Sequence, residues 1–468
     1  MENVRHFSRD FAGVQTIKLE QNYRSTGTIL EAANAVIANN EERMGKKLWT
    51  ADDKGAPIRL YAAFNEQDEA RFVVEQVEQW LTKGRRADEV AIVYRTTAQS
   101  RLFEEYLLRA SIAYRVYGGQ RFFERAEIRD ALAYLRLIQN PNDDAAMERV
   151  INTPARGIGQ KTLSILRLQA RESSLPLWQA AQECARQNLL PARALGAVNG
   201  FIQLVTVMRE RMQNWTLGNQ VQGLIEESQL VSHYEKEPTE KMESRIENLR
   251  ELVNAAEAFV IPAEDEEAGM TDLQSFLSHA ALEAGETQGE AWDDCVQLMT
   301  LHSAKGLEFP MVFIVGMEDG LFPHQRSVTE AGGRLEEERR LCYVGITRAR
   351  EHLCISHAEV RRMFGSESHC RPSRFLDEIP SELIEEIRPR MQVQRPWSSP
   401  KLPDYRKSSL GSDQDWPFRL GESVSHKKFG LGTVISFEGS GEHARVQVNF
   451  NRAGAKWLVL AYANLTST

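Results

Sequence analysis

Three short segments hold residue types whose spacing points to phosphate chemistry. The first, Gln21-Asn22-Tyr23-Arg24-Ser25, follows a β-rich run and opens a helical pattern, with Ser25 or Thr26 placed to cap it. Alone it reads as a capped helix with an exposed arginine. Alternatively Arg24, held at a strand end, points a planar two-pronged donor at a phosphate. In the second segment, two apolar runs flank the polar loop His302-Ser303-Ala304-Lys305-Gly306-Leu307-Glu308. Packing does not account for so many mixed polar groups between apolar strands, and such loops are where α/β sheets place ligand chemistry. The third runs from Glu336 to Glu351. Helical i,i+4 pairing accounts for Glu336 and Arg340, but not for Thr347-Arg348-Ala349, where a cation closes an apolar stretch.

Positioning these residues requires strands. The runs Val14–Leu19, Ile58–Ala62, Val90–Tyr94, Ala113–Tyr117, Val296–Leu301, Met311–Val315 and His352–Ser356 read as β, separated by helical patterns. The Val90 and Met311 runs are apolar on both alternating faces, as strands buried between two helix layers should be. From Phe122 to Gln288 the pattern is almost wholly helical. The predicted fold is therefore α/β, a parallel sheet whose sequence is interrupted by an all-helical insertion. The acidic run Glu264-Asp265-Glu266-Glu267 reads as a solvated loop. A Pro- and Ser-rich linker follows Pro389, and alternating strands with Gly-rich turns near the C-terminus predict a small β-barrel.

Composition narrows the class. The 468 residues include 57 Lys and Arg against 66 Asp and Glu, a net charge of −9, which does not advertise nucleic acid although a local basic surface can hide in an acidic total. From Arg419 onward the balance reverses, with Lys427, Lys428, Arg445, Arg452 and Lys456 joining it against Glu422, Glu438 and Glu442. The five cysteines contain no C-x-x-C pair, so neither a disulfide framework nor a zinc ribbon is expected. With no signal peptide and no apolar run near the ~20 residues of a membrane span, the expected location is the cytoplasm, with no membrane partner.

Together the three segments resemble motifs IV, V and VI of superfamily 1A DNA helicases, the UvrD/PcrA/Rep group, and most of all its UvrD branch. Tyr94-Arg95-Thr96-Thr97-Ala98-Gln99-Ser100-Arg101 and the run from Tyr117 to Asp130 resemble two further segments of that family. The resemblance implies a RecA-like second lobe (residues 1–118, with a remnant of a preceding lobe at 1–12, and 291–388), a helical 2B insertion (119–290), a linker (389–418) and a Tudor/SH3-like domain (419–468). It implies that Arg24 and Arg348 reach the γ-phosphate of ATP, with Glu308 accepting from the ribose and Gly306 allowing close approach. Thr300 and His302 belong to the motif coupling nucleotide state to single-stranded DNA. Arg95 and Arg101 are candidate DNA-backbone or coupling residues, and Phe364 falls at an aromatic hairpin tip that stacks at the duplex junction. In the insertion, Gly157-Ile158-Gly159 with Lys161 and Thr162 resembles a helix-hairpin-helix turn that grips duplex DNA. The C-terminal domain implies a protein-interaction module, with RNA polymerase or repair proteins as partners.

The sequence departs from the family in holding no G-x-x-x-x-G-K-[ST] run; Gln160 stands where that pattern needs glycine before Lys161. The ligands of Mg²⁺ are expected in a first lobe that these residues do not include. The expectation is the C-terminal portion of an ATP-dependent 3′-to-5′ helicase that acts in repair or replication, binds single strands and junctions, and does not turn over ATP alone. The competing reading is a stand-alone DNA- and protein-binding module without motor activity.

Overall fold

In the computed structural model the described residues are 11, 17–41, 47–51, 53–285, 294–329, 334–363, 366–387, 423–426, 430–438, 445–450, 454–459 and 465–467. The chain divides into two compact units, Met1–Gln392 and Val393–Thr468.

The first unit is built on a seven-stranded sheet. Helix α1 (Gly27–Ala38) precedes β1 (Ile58–Ala63), α2 (Glu66–Thr82), β2 (Val90–Tyr94), α3 (Ser100–Arg109) and β3 (Tyr114–Val116). Among the described residues ten α-helices follow within the insertion: α4 (Ala126–Gln139), α5 (Asp144–Val150), α6 (Gln160–Ser173), α7 (Leu177–Arg186), α8 (Ala192–Met212), α9 (Leu217–Ser228), α10 (Leu230–Tyr234), α11 (Thr239–Ala258), α12 (Ala263–Glu267) and α13 (Asp272–Gly285). The chain then returns to the sheet through β4 (Val296–Thr300) and β5 (Phe309–Ile314). After the short β6 (Glu318–Asp319) come α14 (Gln325–Thr329), α15 (Arg334–Ile346) and β7 (Ala349–Ala358). The hairpin β8 (Val360–Met363) and β9 (Ser366–His369), β10 (Arg371–Pro372), α16 (Arg374–Asp377) and β11 (Ile384–Glu386) complete the unit. The sheet order is β11-β1-β7-β5-β2-β4-β3, with every pair parallel. The parallel sheet and helical insertion are thus those predicted.

Strand β2 shows why a sequence apolar on both faces folds this way. Its side chains alternate between two layers. Ala91 and Val93 pack with Ile29, Ala33 and Val36 of α1 and Cys342 and Ile346 of α15. Val90, Ile92 and Tyr94 pack with Phe72, Val73 and Val77 of α2 and Phe103 and Leu107 of α3. The insertion has a core of its own, from Phe122 to Ala280.

Two expectations change. Ile17–Leu19, the described part of the expected Val14–Leu19 strand, is irregular and exposed. The sheet flank beside β1 is occupied by β11, and a strand without a neighbour leaves its backbone groups to water. The acidic run is not a loop but helix α12. Pro262 stands at its start and the acids fill its first turn, where proline's fixed φ and the helix dipole favour them.

In the second unit, β12 (Ser423–His426), β13 (Gly430–Glu438), β14 (Arg445–Phe450), β15 (Gly454–Val459) and β16 (Thr466–Ser467) form an antiparallel sheet in the order β15-β14-β13-β12-β16. Val424, Val434, Val446, Val448 and Phe450 form its core. The expected linker lies outside the described residues.

Candidate nucleotide half-site and strand-binding edge

A parallel sheet has two unlike edges. The residues expected to meet nucleotide collect where β5 and β7 begin; those expected to meet a DNA strand collect where β2, β3 and β4 end.

At the first edge, Asn22 shapes the segment that carries Arg24. Its Oδ1 accepts from the amides of Arg24 at 2.8 Å and Ser25 at 2.9 Å, and the Ser25 hydroxyl donates to the Ala349 carbonyl at 2.7 Å. Arg24 is thereby tied to the start of β7, next to Arg348. Thr26 occupies the N-cap position without a side-chain capping bond. The Gly27 and Thr28 amides instead donate to the Asp53 and Lys54 carbonyls, so an adjacent chain segment replaces the expected cap.

Arg348 is 9% exposed and fixed by neutral acceptors. Its Nε donates to the Val344 carbonyl at 3.0 Å, Nη1 to the Leu307 carbonyl at 2.8 Å and Nη2 to the Thr347 hydroxyl at 3.1 Å. Burial and then the neighbouring Arg24 guanidinium lower its pKa. Glu308 is bonded by Arg24 Nε and lies 3.9 Å from Arg350 Nη1. Two guanidinium groups thus share one carboxylate while Arg348, bonded only to neutral acceptors, feels the Arg24 charge, and the crowding felt at Arg348 is what a polyphosphate anion relieves. This donor set fits the phosphates of ATP. Beside it Tyr23 is 80% exposed, its hydroxyl donating to Gln21 Oε1 at 2.8 Å. Its open ring face can take a planar base. Sequence reading passed over Tyr23, although an aromatic next to Arg24 in a stretch without apolar periodicity was the available signal.

Gly306 has φ +94° and no atom within 4 Å of where a Cβ would stand. Its backbone conformation, not crowding, calls for glycine. Residues 301–308 run from the end of β4 to the start of β5. In a parallel sheet that carries the chain from one edge to the other. Thr300 and His302 stand at its upper end and Glu308 at its lower end. The Thr300 hydroxyl lies 3.0 Å from that of Ser303, whose amide donates to it at 3.2 Å, and His302 and Lys305 are exposed.

At the second edge, Arg95 follows β2 and Tyr117 follows β3. Arg95 is held by Glu338, at 3.0 Å from Nε and 2.7 Å from Nη2. Burial pushes the Glu338 carboxyl up, but Arg95 and the His324 amide outweigh it and hold it below the usual carboxylate range. Arg101 is placed differently from its expected DNA-backbone contact. It is 7% exposed, with Nε 2.6 Å from Glu251 of α11 and Nη1 3.0 Å from Glu105. Its charge is spent inside the protein, where it joins sheet lobe and insertion.

In the insertion, Gly157 has φ +82°, and Gly159 stands at the N-cap of α6. Asn152 Oδ1 accepts from the Arg156 and Ile158 amides at 2.8 and 3.1 Å, and buried Ile158 anchors the turn. Neither glycine has an atom within 4 Å of its missing Cβ, and Lys161 is exposed. The first amides of α6 lack intrahelical partners and face outward with the turn. Thr162 is corrected: helical spacing puts its side chain with Leu163 and Leu166 on the buried face, so only its backbone amide can serve a phosphate.

Phe364 lies outside the described residues, between β8 and β9. The base of that hairpin is anchored by Arg361, which bonds the buried carboxylates of Glu69 and Glu318. Glu69 also accepts from the Gly316 amide at 2.9 Å and the Ser356 hydroxyl at 2.7 Å. Among the described residues no group of three or more His, Cys, Asp or Glu could hold a metal ion, and no helix is long and apolar enough to cross a membrane.

Comparison with known proteins gives the same grouping. DNA helicase II of Escherichia coli is 54% identical over 467 residues, all of this chain and 64% of that protein. DNA helicase II of Haemophilus influenzae is 51% identical, over 99% of this chain and 63% of its own length. The ATP-dependent DNA helicase PcrA of Bacillus subtilis is 38% identical, over 98% and 64%. The chain thus spans about 64% of the length of these relatives. A solved C-terminal domain of a possible DNA helicase from Lactobacillus covers 78% of this chain and 97% of its own at 10% identity, but its TM-score of 0.29 adds nothing to the fold. Residues 420–466 match the PcrA/UvrD tudor domain. Residues 17–360, which carry both edges described above, match the UvrD-like helicase C-terminal domain, and the chain belongs to that family.

Proposed function

We propose that this chain supplies the second-lobe half of an ATP-dependent 3′-to-5′ DNA helicase: the guanidinium groups for ATP hydrolysis and surfaces for single strands and junctions. The observation that carries the reading is the pair of neighbouring guanidiniums: Arg24, bonded to Glu308, and Arg348, held by neutral acceptors and close enough for Arg24 to lower its pKa. ATP with Mg²⁺ is the substrate, and its β- and γ-phosphates need a P-loop that no run in these 468 residues matches. A partner lobe bearing one supplies the other wall.

The geometry supports the following roles. Arg348, preset by carbonyl acceptors, meets the charge that develops on the transferred phosphoryl group without reorganising. Arg24 swings from Glu308 to a phosphate oxygen, freeing that carboxylate to accept from a ribose hydroxyl, while Tyr23 offers its face to the base. Residues 301–308 join this edge to Thr300 and His302, so a shift at the nucleotide moves the strand-binding edge. The Gly157 turn offers amides to duplex phosphates, and Phe364 is the residue assigned to stacking at the junction. The tudor domain supports a protein-binding role, for which RNA polymerase and repair proteins are the proposed partners.

Two measurements test the reading. Binding of the chain to a single-stranded oligonucleotide should weaken steeply with salt, because cations that neutralise phosphates release counterions; a flat response contradicts it. The chain alone should show no DNA-stimulated phosphate release from ATP, and appreciable turnover would defeat the half-site account.

Gly159 gives a clean probe of the duplex surface. Its φ of −88° and ψ of 177° suit any residue, and a Cβ there meets nothing. Gly159→Val should fold normally, with an N-cap penalty of no more than about 1 kcal/mol. It should weaken duplex binding about tenfold by blocking approach to the amides, with single-strand binding unchanged. Equal losses on both would remove the role assigned to the turn.

A further inference from the structure

Helix α11 of the insertion reaches the strand-binding edge through Asn248, which is 2% exposed. The Asn248 carbonyl oxygen accepts from Arg125 Nη1 at 2.8 Å and from the Thr97 hydroxyl at 3.2 Å, and its amide nitrogen donates to Glu127 Oε1 at 2.6 Å. A guanidinium on one side and a carboxylate on the other fix which way the amide points. One turn earlier on the helix, the Ser244 hydroxyl lies 2.7 Å from that of Thr97.

Thr97 opens the turn between Arg95 and Arg101. Arg125 also holds this turn, donating to the Thr97 carbonyl at 3.0 Å and the Ser100 hydroxyl at 2.6 Å. Within it, Gln99 Oε1 accepts from the Arg95 and Thr96 amides at 3.0 and 2.9 Å. A chain of hydrogen bonds therefore runs from Asn248, whose bonds to Arg125 and Glu127 are buried, to the half-buried Thr97, and through the turn to the backbone just beyond β2. Thr96 and Gln99 line a cleft of about 1020 Å³ that also reaches Arg250 and His324.

We propose that Asn248 is a positioning residue for DNA: it sets the Arg95–Arg101 turn so that the sheet edge takes a single strand, making strand affinity depend on the insertion. The proposal rests on the reading that a single strand lies along this edge. Buried polar networks of this kind fix geometry because a partly satisfied one is costly. Exchanging donor for acceptor at one position therefore damages it and exchanging the partner repairs it.

The test uses the full 468-residue chain and two labelled probes, an oligothymidylate and a blunt duplex, followed by fluorescence anisotropy. Asn248→Asp places a carboxylate against Glu127 and should weaken single-strand binding about tenfold, with duplex binding unchanged. Adding Glu127→Gln reverses donor and acceptor, and should bring single-strand affinity back to within about threefold of the unaltered chain. Thr97→Val, which attacks the same contact from the sheet side, should weaken single-strand binding by itself and add nothing to Asn248→Asp. The proposal is overturned if Asn248→Asp leaves single-strand binding intact, if both probes lose equally, if Glu127→Gln does not rescue, or if Thr97→Val adds its full effect. His302→Ala separates the two levels. If it too leaves single-strand binding intact, the strand reading fails; if it weakens binding while Asn248→Asp does not, only the role of Asn248 fails.

Discussion

Joined to a P-loop lobe from a helicase of the same family, the chain carrying Arg348→Ala should turn over ATP about 10³-fold more slowly than the unaltered chain. Phosphoryl transfer gains most from cations that meet developing charge, and three fixed acceptors hold the Arg348 guanidinium ready for that task. The same geometry predicts a loss of stability of no more than about 1–3 kcal/mol, from the Val344 and Leu307 carbonyls left without this donor. Arg348 has no carboxylate of its own, and burial together with Arg24 lowers its pKa, so removing it relieves repulsion. Arg348→Lys should recover only part of the rate, because a single ammonium cannot copy the planar fork. Steady-state hydrolysis with saturating single-stranded DNA, read beside the melting temperature, checks both halves. A rate within about threefold of the unaltered chain would show that Arg348 is structural.

The second large effect concerns stability. Arg361→Ala should destabilise the first unit by about 3–5 kcal/mol, because Glu69 and Glu318 would be left buried without their cation. Most of the loss should return when both carboxylates are replaced together by glutamine, since neutral groups of similar shape need no counter-charge. The pH dependence has a defined sign. Burial pushes the Glu318 carboxyl up, and Arg361 is the cation that opposes it. Without Arg361 the carboxyl pKa rises further above its unfolded value. The folded state then binds the extra proton, and stability grows as pH falls through that raised pKa. The deficit of Arg361→Ala should therefore be smaller at about pH 5 than at about pH 8. Urea unfolding followed by tryptophan fluorescence measures it. A deficit under about 1 kcal/mol at both pH values would mean that water already reaches the pair.

What the sequence revealed and what it hid have separate physical causes. Val90–Tyr94 and the Met311 strand were legible because a strand covered on both faces must be apolar at successive positions. The insertion was legible because its period changes from two to 3.6 residues. Arg348 and Glu308 stood out as polar groups that packing could not explain, whereas Arg24 alone read as an exposed arginine on a capped helix and gained its role from the family resemblance; Arg24 and Arg348 come together although Arg348 lies more than 300 positions beyond Arg24. Arg101 misled because an arginine on an amphipathic helix reads as a surface cation. Its partner Glu251 lies 150 positions away on another subdomain, and no local pattern signals such a pair. Asn248 was invisible for the same reason. Thr162 misled in the opposite sense: the turn was recognised, but which face of α6 is buried depends on the helices around it. Ile17–Leu19 carries strand-like residues with no strand beside it among the described residues, and neighbours are not written in a local run.

The most direct test is complementation. The unaltered chain is mixed with a separately expressed P-loop lobe of the same helicase family, single-stranded DNA and ATP, and phosphate release is followed over time. The account predicts that neither piece hydrolyses ATP alone, that the mixture does, and that Arg24→Ala or Arg348→Ala in the chain abolishes the gain. Hydrolysis by the mixture that persists when both arginines are replaced would contradict it.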